Sequence, residues 1–468
     1  MFKLQIKYLS FFFGIVSILS FFNILYSYYF NLYLNLDTYY FTLLASFILF
    51  ITFFKFGKYD IKSNIFQKIL TIFLGYLLIP LVLSIPFYFS IYNLTFSNSF
   101  FEAISGFTST GFTVFDNIKL IDQSLVIWRS STQWLGGLYF LFSIIYLIDI
   151  YDDSFKKTLT NYISFNSSEI LKQAAKIFIL YSSLTIMIFI ILNIFSIRTF
   201  DSLNLALTII SSGGFLPVND LSIIIKENAQ IIIFSLLMLF SFFSLFFSYN
   251  LIFLRKKNIN FFYEDLHLLI YLVVVVTIFF LFFSFNFDFF INLFAIVSSM
   301  TNIGFSLNSG QENLNFIYLI LVIIGGSFFS TSSGLRFIKI YSLFKFSLNQ
   351  ILSFSRPKNV FMNKLIFTKI NFHLDEINKY FLTIIIFILS LFILTSLLSL
   401  SGITFVNSFK LSILTLMNTV NSSIYGLKEF DFYNLQLFSK YCIIFFMIVG
   451  RIELLTILLL IKKFLFKN

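Results

Sequence analysis

Long apolar stretches separated by short polar segments recur along almost the whole chain. A helix that crosses a bilayer needs about 20 mainly apolar residues. Because the first stretch is too long for the core of a signal peptide and no small-residue cleavage site follows it, we expect it to stay in the mature protein. The pattern predicts ten transmembrane helices, at 8–30, 38–56, 68–92, 123–150, 172–196, 229–254, 266–287, 313–326 continuing to about 345, 377–400 and 437–461.

Four shorter apolar stretches lie between some of these spans and are too short to cross a membrane. They occupy 97–108, 200–211, 288–300 and 407–418. Each one runs into a polar segment rich in Gly, Ser, Thr or Asn, which indicates half-helices that enter the membrane and turn back. The polar segments are Thr108 to Phe112, Ser211 to Phe215, Thr301 to Phe305, and Asn421 to Gly426.

After the first two spans, one unit recurs four times: a span, a half-helix, a polar loop and a second span. Each unit holds an even number of spans, so all four units face the same way, unlike the inverted repeats of many transporters. The predicted fold is an all-α polytopic membrane protein in which four parallel repeats surround a central pore, preceded by two extra N-terminal helices. The predicted divisions are 1–60 for those two helices and 61–155, 156–258, 259–350 (with a gating loop) and 351–468 for the repeats.

Composition and charge narrow the class of protein. Hydrophobic residues make up 59% of the chain and charged residues 11%, whereas soluble domains carry about 25% charged residues. One cysteine and two histidines exclude an intrachain disulfide and a Cys/His zinc site. Most Lys and Arg residues fall in the loops on the side of the N-terminus, which predicts that both termini are cytoplasmic. The opposite face is net negative and should gather cations.

The four polar loops suggest a path for a cation. Backbone without helical hydrogen bonds survives at membrane depth only where protein or a water-filled cavity satisfies it. Four loops around one axis can point their carbonyls inward and replace the water shell of a cation. Glycine permits the backbone angles that this needs, and the half-helices present their negative ends. A single loop is also explained by helix packing through small residues; four in register favour the cation path.

A polar interruption divides the eighth predicted span near mid-membrane. One interpretation is a kinked helix whose hydroxyl groups bond to its own backbone. The other is a mobile loop that closes the pore below the polar loops, with glycines as hinges and two phenylalanines as a hydrophobic plug. The candidate gate residues are Gly325, Gly326, Ser327, Phe328, Phe329 and Gly334.

Arg451 lies near the middle of the last predicted span. Charge at this depth is costly and normally faces the protein interior or an aqueous path. We expect Arg451 to line the pore and to hydrogen-bond to the loop at 325–334. A structural role, paired to loop carbonyls or to Glu453, is the alternative, although Glu453 at i+2 faces another side of the helix.

Three further side chains carry specific expectations. Glu102, in the first half-helix, should accept amide hydrogen bonds that brace the first polar loop. Trp128 and Trp134 lie near the predicted outer boundary of their span, so we expect them to anchor the helix at the membrane interface.

Six motifs, in order between residues 68 and 461, carry a family resemblance. They are Phe101–Gly111, Trp128–Gly137, Ser211–Phe215, Thr301–Phe305, the segment from Gly325 to Gly334, and Gly450–Glu453. Together they resemble the Trk/Ktr potassium-transporter superfamily, and the two extra N-terminal spans resemble its TrkH type. The resemblance implies potassium uptake through an axial filter in a bacterial inner membrane.

The resemblance also implies site residues and partners. In the fourth loop, aligned on Val420 and Gly426, Ile424 takes the usual place of the filter glycine. Because a β-branched residue disfavours positive φ, we expect this loop to hold its carbonyls differently.

The implied assembly is a homodimer in membrane lipid with a cytoplasmic TrkA-type nucleotide-binding subunit. NAD or ATP would bind that partner, since this chain has no nucleotide motif and no expected cofactor of its own beyond the transported K⁺. The implied K⁺ ligands are the backbone carbonyls of Ser109, Thr110, Gly111, Ser211, Ser212, Gly213, Asn302, Ile303, Gly304, Asn421, Ser422 and Ser423.

Two other function classes fit the sequence less well. A cation pathway that also admits Na⁺, or an ion-coupled secondary transporter, is the nearest alternative, but the coupled class typically has inverted repeats. A membrane exporter or enzyme of lipid-linked sugars needs clustered acidic, His or Arg residues in its outer loops, and no such cluster or catalytic motif occurs in the sequence. The sequence therefore predicts a transporter rather than an enzyme, with no nucleic-acid partner.

Overall fold

The chain is almost entirely helical in a computed structural model. The structure describes residues 6–57, 65–147, 170–252, 262–283, 289–307, 314–354, 374–428 and 430–452. Within these ranges two short parallel strands, β1 (Ile324–Gly325) and β2 (Leu335–Arg336), pair with each other. The fold is mostly helical, as predicted, and the strand pair is a local closure of the interrupted eighth span.

The helices of the described residues, numbered in chain order, are α1 (Ile6–Tyr29), α2 (Leu36–Phe56), α3 (Ile65–Leu83), α4 (Ile85–Tyr88), α5 (Phe96–Phe107), α6 (Gln123–Tyr146), α7 (Ile170–Ile194), α8 (Thr199–Ile210), α9 (Asn228–Phe242), α10 (Leu245–Ile252), α11 (Tyr263–Phe283), α12 (Phe289–Met300), α13 (Asn315–Ile323), α14 (Phe337–Ser353), α15 (Leu374–Leu400), α16 (Phe405–Leu416) and α17 (Leu437–Ile452).

Six spans in the described ranges are long and apolar enough to cross a membrane: α1, α2, α3 with α4, α7, α11 and α15. They expose apolar side chains, such as Ile179 and Ile186 on α7 and Val274 and Leu281 on α11. Large exposed apolar surfaces are unfavourable in water, so these faces suit lipid. The chain is a multi-pass membrane protein, as predicted.

The remaining long helices are more polar, broken or buried. In α6 every side chain from Ser124 to Tyr146 is buried. The predicted span 229–254 is two helices, because the chain breaks at Ser244, whose amide and hydroxyl donate to the Asp265 carboxylate at 2.8 and 2.6 Å. The eighth predicted span is likewise divided into α13 and α14. Of these helices, α6 is buried along its whole length, whereas α14 exposes Phe344 and Ile351.

The four short predicted stretches form α5, α8, α12 and α16, each of 12 residues. Their ends lie within two residues of the predicted bounds. Of the half-helices, α5 packs on α3 and α6, α8 on α7 and α9, and α16 on α15 and α17, whereas α12 packs on α13 and on α9 of the preceding unit. The four C-terminal ends and the loops that follow them position the candidate site.

Candidate functional site

All four short helices end in the same backbone turn. The second residue after each helix has a left-handed conformation, at Ser109 (φ 58°), Ser212 (φ 56°), Asn302 (φ 59°) and Asn418 (φ 47°). After α5, the Ser109 amide donates to Gly106 O at 2.8 Å and the next amide to Ser105 O at 2.9 Å. This is the Schellman pattern of helix ends. In this pattern the backbone N–H groups of the loop point toward the carbonyls of the last helical turn.

The first loop contacts the second, and the second contacts the third. A Cβ atom on Gly111 of the first loop would lie 2.7 Å from the Cα atom of Gly214 in the second, so glycine is required for this approach. The Ser212 hydroxyl of the second loop donates to the Thr301 carbonyl of the third loop at 2.7 Å.

The fourth loop closes the ring. The Asn302 side chain of the third loop donates from Nδ2 to Thr419 Oγ1 at 3.3 Å. The Asn418 side chain of the fourth loop donates from Nδ2 to Thr110 Oγ1 of the first loop at 3.0 Å. The four loops therefore converge on a common centre.

The left-handed residue gives a common register in which the four loops can be compared. The predicted ligands of the first and third loops begin at this residue, whereas those of the second loop, Ser211 to Gly213, begin one residue before it. The predicted ligands of the fourth loop, Asn421 to Ser423, begin three residues after it, where the chain enters a 3₁₀ helix at Ser423–Tyr425 that ends at Gly426 with φ 67°. Ile424 is therefore not the counterpart of Gly111. The equivalent triplets are Ser109–Gly111, Ser212–Gly214, Asn302–Gly304 and Asn418–Val420.

Val420 takes the place that glycine holds in the other three loops. A Cβ atom on Gly304 would lie 2.9 Å from Val420 Cγ1, and one on Gly214 would overlap the Val420 side chain. The valine thus fills space that two neighbouring glycines leave. Val420 also lines a cavity of about 420 Å³ together with Asp116 and Asp431.

A buried ion pair braces the first two loops. Glu102 accepts the Val114 amide at 2.9 Å, which confirms the expected amide hydrogen bond, and its carboxylate is 0% exposed. Arg129, which the sequence analysis did not single out, donates from Nε to Glu102 Oε1 at 2.8 Å. The same guanidinium lies 4.3 Å from the ring centre of Phe215 in the second loop.

The predicted gate segment is a buried loop enclosed by β1 and β2. It lies against the break between α9 and α10: the Ser327 amide donates to Phe242 O at 3.0 Å, and the Leu245 amide donates to Phe329 O at 2.9 Å. Phe328 and Phe329 are each 2% exposed. This contact with α9 and α10 favours a loop over a kinked helix, while the role of the phenylalanines as a plug stays a prediction.

The gate segment also touches the loop ring. The Ser332 hydroxyl donates to Asn302 Oδ1 at 2.8 Å. Arg451 is 1% exposed and donates from Nη1 to Ser333 Oγ and from Nη2 to Ser109 Oγ, the latter at 3.3 Å. The predicted contact between Arg451 and this segment is thus present; Glu453, its alternative partner, lies outside the described residues.

No protein-family model matches the chain. An uncharacterized cation transporter of Methanocaldococcus jannaschii is 26% identical over 318 residues, which are 65% of this chain and 62% of that protein. The Trk system potassium uptake protein TrkH of Escherichia coli is 24% identical over 426 residues, which are 86% of each chain. The crystal structure of the potassium transporter TrkH from Vibrio parahaemolyticus superposes with a TM-score of 0.84 and 19% identity over 98% of both chains. The resemblance to the Trk/Ktr superfamily, TrkH type, is confirmed.

One stripe of α6 supports the ring from the side. Arg129, Gln133, Gly136, Gly137 and Phe140 recur at the spacing of one helix face. Gln133 Oε1 accepts the Phe215 amide of the second loop at 3.2 Å. The sequence analysis treated this stretch only as a motif, although the i, i+4, i+7, i+8 spacing of its polar and small residues marks a packed face.

The two tryptophans of α6 correct an expectation. Trp128 is 0% exposed and its Nε1 donates to Leu83 O at 3.1 Å, while Trp134 is 7% exposed and donates to Thr185 Oγ1 at 3.0 Å. The prediction that they anchor α6 at the membrane interface is wrong. Because α6 is central, its indole groups find hydrogen-bond partners inside the protein.

Proposed function

We propose that this chain moves potassium ions into the cell through a filter of backbone carbonyls, closed on its inner side by the loop at 325–334. The ring of four loops, each in contact with the next, is the observation that carries the proposal. The names of the relatives support it, since the Escherichia coli protein is a potassium uptake protein. No step of this function is enzymatic.

The proposed ligands are the left-handed residue of each loop and the two residues that follow it. A dehydrated K⁺ needs several oxygens at once, and four loops supply them from four sides. In the left-handed turn, backbone N–H groups of the loop donate to carbonyls of the last helical turn. The negative ends of the four helix dipoles favour a cation at the centre. The proposed carbonyls belong to Ser109, Thr110, Gly111, Ser212, Gly213, Gly214, Asn302, Ile303, Gly304, Asn418, Thr419 and Val420.

The gate is proposed to consist of the loop and Arg451. Arg451 bridges this loop and the first filter loop through Ser333 and Ser109. At about 8 Å and an effective dielectric constant of about 20, a fixed positive charge repels a passing K⁺ by about 2 kcal/mol. The glycines of the segment, Gly325, Gly326 and Gly334, would supply its hinges.

The finer architecture rests on the family resemblance. We propose ten spans, with four parallel repeats at 61–155, 156–258, 259–350 and 351–468 after the two helices of 1–60. We further propose both termini in the cytoplasm of a bacterial cell, insertion in the inner membrane, and a homodimer that carries a TrkA-type regulatory subunit. NAD or ATP would act on that partner.

A less selective cation pathway is the second candidate. Val420 stands where the other loops have glycine and packs against Gly214 and Gly304. Because a β-branched residue restricts the backbone, the fourth loop would hold its carbonyls less uniformly than the others. Such a filter would admit Na⁺ beside K⁺.

Growth of a bacterium that lacks its own potassium uptake systems tests both candidates. We expect the chain to restore growth at low external K⁺, and growth that fails when Na⁺ is added would favour the second candidate. Gly304→Val should abolish rescue, because Gly304 has φ 82° and contacts Val420. Gly402→Val is the matched control, since Gly402 has φ 91° but nothing within 4 Å of its Cβ position. Absence of growth with correctly inserted wild-type protein would contradict the proposal.

A further inference from the structure

One aromatic ring on α6 lies beside two buried arginines. Phe140 is 4% exposed. The guanidinium carbon of Arg451 lies 4.3 Å from the centre of its ring, and that of Arg336 lies 5.0 Å from it. Arg451 and Arg336 are 1% and 3% exposed. Cations within about 6 Å of a ring centre are attracted by its negative face, most strongly when water is excluded.

Both arginines hold the gate loop. Arg336 Nη1 donates to the carbonyls of Ser327 and Ser332, each at 3.0 Å, and so ties the two halves of the loop together. Arg451 joins the same loop to the first filter loop through Ser333 and Ser109. Arg336 therefore fixes the shape of the loop, and Arg451 fixes its distance from the filter.

The helix that carries Phe140 is firmly placed. A Cβ atom on Gly136 would overlap the Phe107 carbonyl, and one on Gly137 would lie 2.9 Å from Ser211 Cα, so α6 touches the ends of the first two half-helices. Phe140 lies about one turn further along the same face. Its ring therefore has a fixed position relative to the filter.

We propose that Phe140 is a positioning residue of the gate, which holds Arg336 and Arg451 together on its ring and thereby keeps the loop closed. Two like charges in a buried site repel each other. The face of the Phe140 ring offers a negative surface to both guanidinium groups. Among the described residues, no carboxylate forms an ion pair with Arg451. Loss of this attraction frees the two arginines to separate and the loop to open. This inference rests on the proposed function of the gate.

Fluorination of the ring tests the proposal without changing its shape. Fluorine atoms withdraw the negative charge from the ring face while the side chain keeps nearly the same volume. Phenylalanine with one, two and three ring fluorines would be incorporated at position 140 of the full chain. Rb⁺ uptake would be measured in vesicles of phosphatidylethanolamine and phosphatidylglycerol without a regulatory partner. We expect uptake to rise stepwise with each fluorine, to about tenfold at three.

Phe142 is the matched control position. It lies on the same helix, is 3% exposed, and packs on Phe11 and Phe12 at ring distances of 5.5 and 5.3 Å. Fluorination there should leave uptake unchanged. Phe140→Tyr keeps the ring and should resemble the wild type, whereas Phe140→Leu should match the most fluorinated protein.

Two results would overturn the proposal: uptake that does not change along the fluorine series at 140, or the same trend at 142. Both presuppose that the unmodified protein takes up Rb⁺. An unmodified protein with no uptake at all would instead contradict the proposed transport function, so the two failures are distinguishable.

Discussion

At the scale of single residues, two ion pairs of this chain differ in their surroundings. Glu102 and Arg129 are 0% and 1% exposed, whereas Asp220 and Lys428 are 43% and 53% exposed. Removing one partner of a buried pair leaves an uncompensated charge and costs about 3–5 kcal/mol. Exposed pairs contribute about 0–1 kcal/mol, because water and salt screen them. The buried pair should therefore matter for the first two loops.

Glu102→Gln tests this difference. We expect it to lower the free energy of unfolding by about 3 kcal/mol, because Arg129 would stay buried without its partner. Asp220→Asn is the control and should change it by less than about 1 kcal/mol. The fraction of protein that elutes as a single species in detergent after heating ranks the stability of both variants against the unmodified protein. Equal losses in the two variants would argue against a brace at Glu102.

Arg451→Ala tests the gate directly. We expect faster Rb⁺ uptake in vesicles without a regulatory partner, because the variant removes both a repulsion of about 2 kcal/mol and two hydrogen bonds of the loop. Arg451→Lys keeps the charge but not the two-pronged contact to Ser333 and Ser109. Its uptake should therefore lie between that of the wild type and that of Arg451→Ala. Arg198→Ala, at an exposed arginine before α8, is the control. Unchanged uptake in Arg451→Ala would remove this residue from the gate.

At the scale of helices, glycines decide how closely α6 approaches the half-helices. A Cβ atom on Gly136 would overlap the carbonyl oxygen of Phe107, and backbone cannot yield as a side chain can. Gly14 on α1 is also helical, but its nearest neighbour is the side chain of Phe50 at 3.3 Å. Replacement by alanine should therefore lower the free energy of unfolding at Gly136 but not at Gly14.

We expect Gly136→Ala to lower the free energy of unfolding by about 2 kcal/mol through overpacking. Gly14→Ala should leave it unchanged or raise it by up to about 1 kcal/mol, because alanine favours the helix. Thermal unfolding of both purified variants in the same detergent provides the comparison. A tolerated Gly136→Ala would mean that α6 does not need its close contact with α5.

The elements differ in how far sequence alone predicts them. The four half-helices follow from apolar length, which is a local property, and their bounds were predicted within two residues. The break at Ser244 was not predicted, because its partner Asp265 lies on another helix. In the fourth loop the left-handed residue is Asn418, three residues before the predicted ligands, and no glycine of the sequence marks that position. Asn tolerates that conformation through its short polar side chain.

At the scale of the whole molecule, the four loops depend on one another. Each is joined to the next by a hydrogen bond or a glycine contact, so the ring exists only when all four half-helices point to one side of the membrane. Parallel repeats meet this condition and inverted repeats do not. The distribution of Lys and Arg then sets which side that is.

Labelling of single cysteines tests this orientation. Cys442 is the one cysteine of the chain, so Cys442→Ser provides a background without thiols. Leu120, 74% exposed between α5 and α6, lies on the predicted outer side, and Ser347, exposed on α14, lies on the predicted inner side. We expect a membrane-impermeant maleimide to label Leu120→Cys in intact cells but Ser347→Cys only after permeabilisation. The reverse pattern would place the filter loops at the cytoplasmic face, where they could not receive external K⁺, and would contradict the direction of uptake while leaving the ring itself intact.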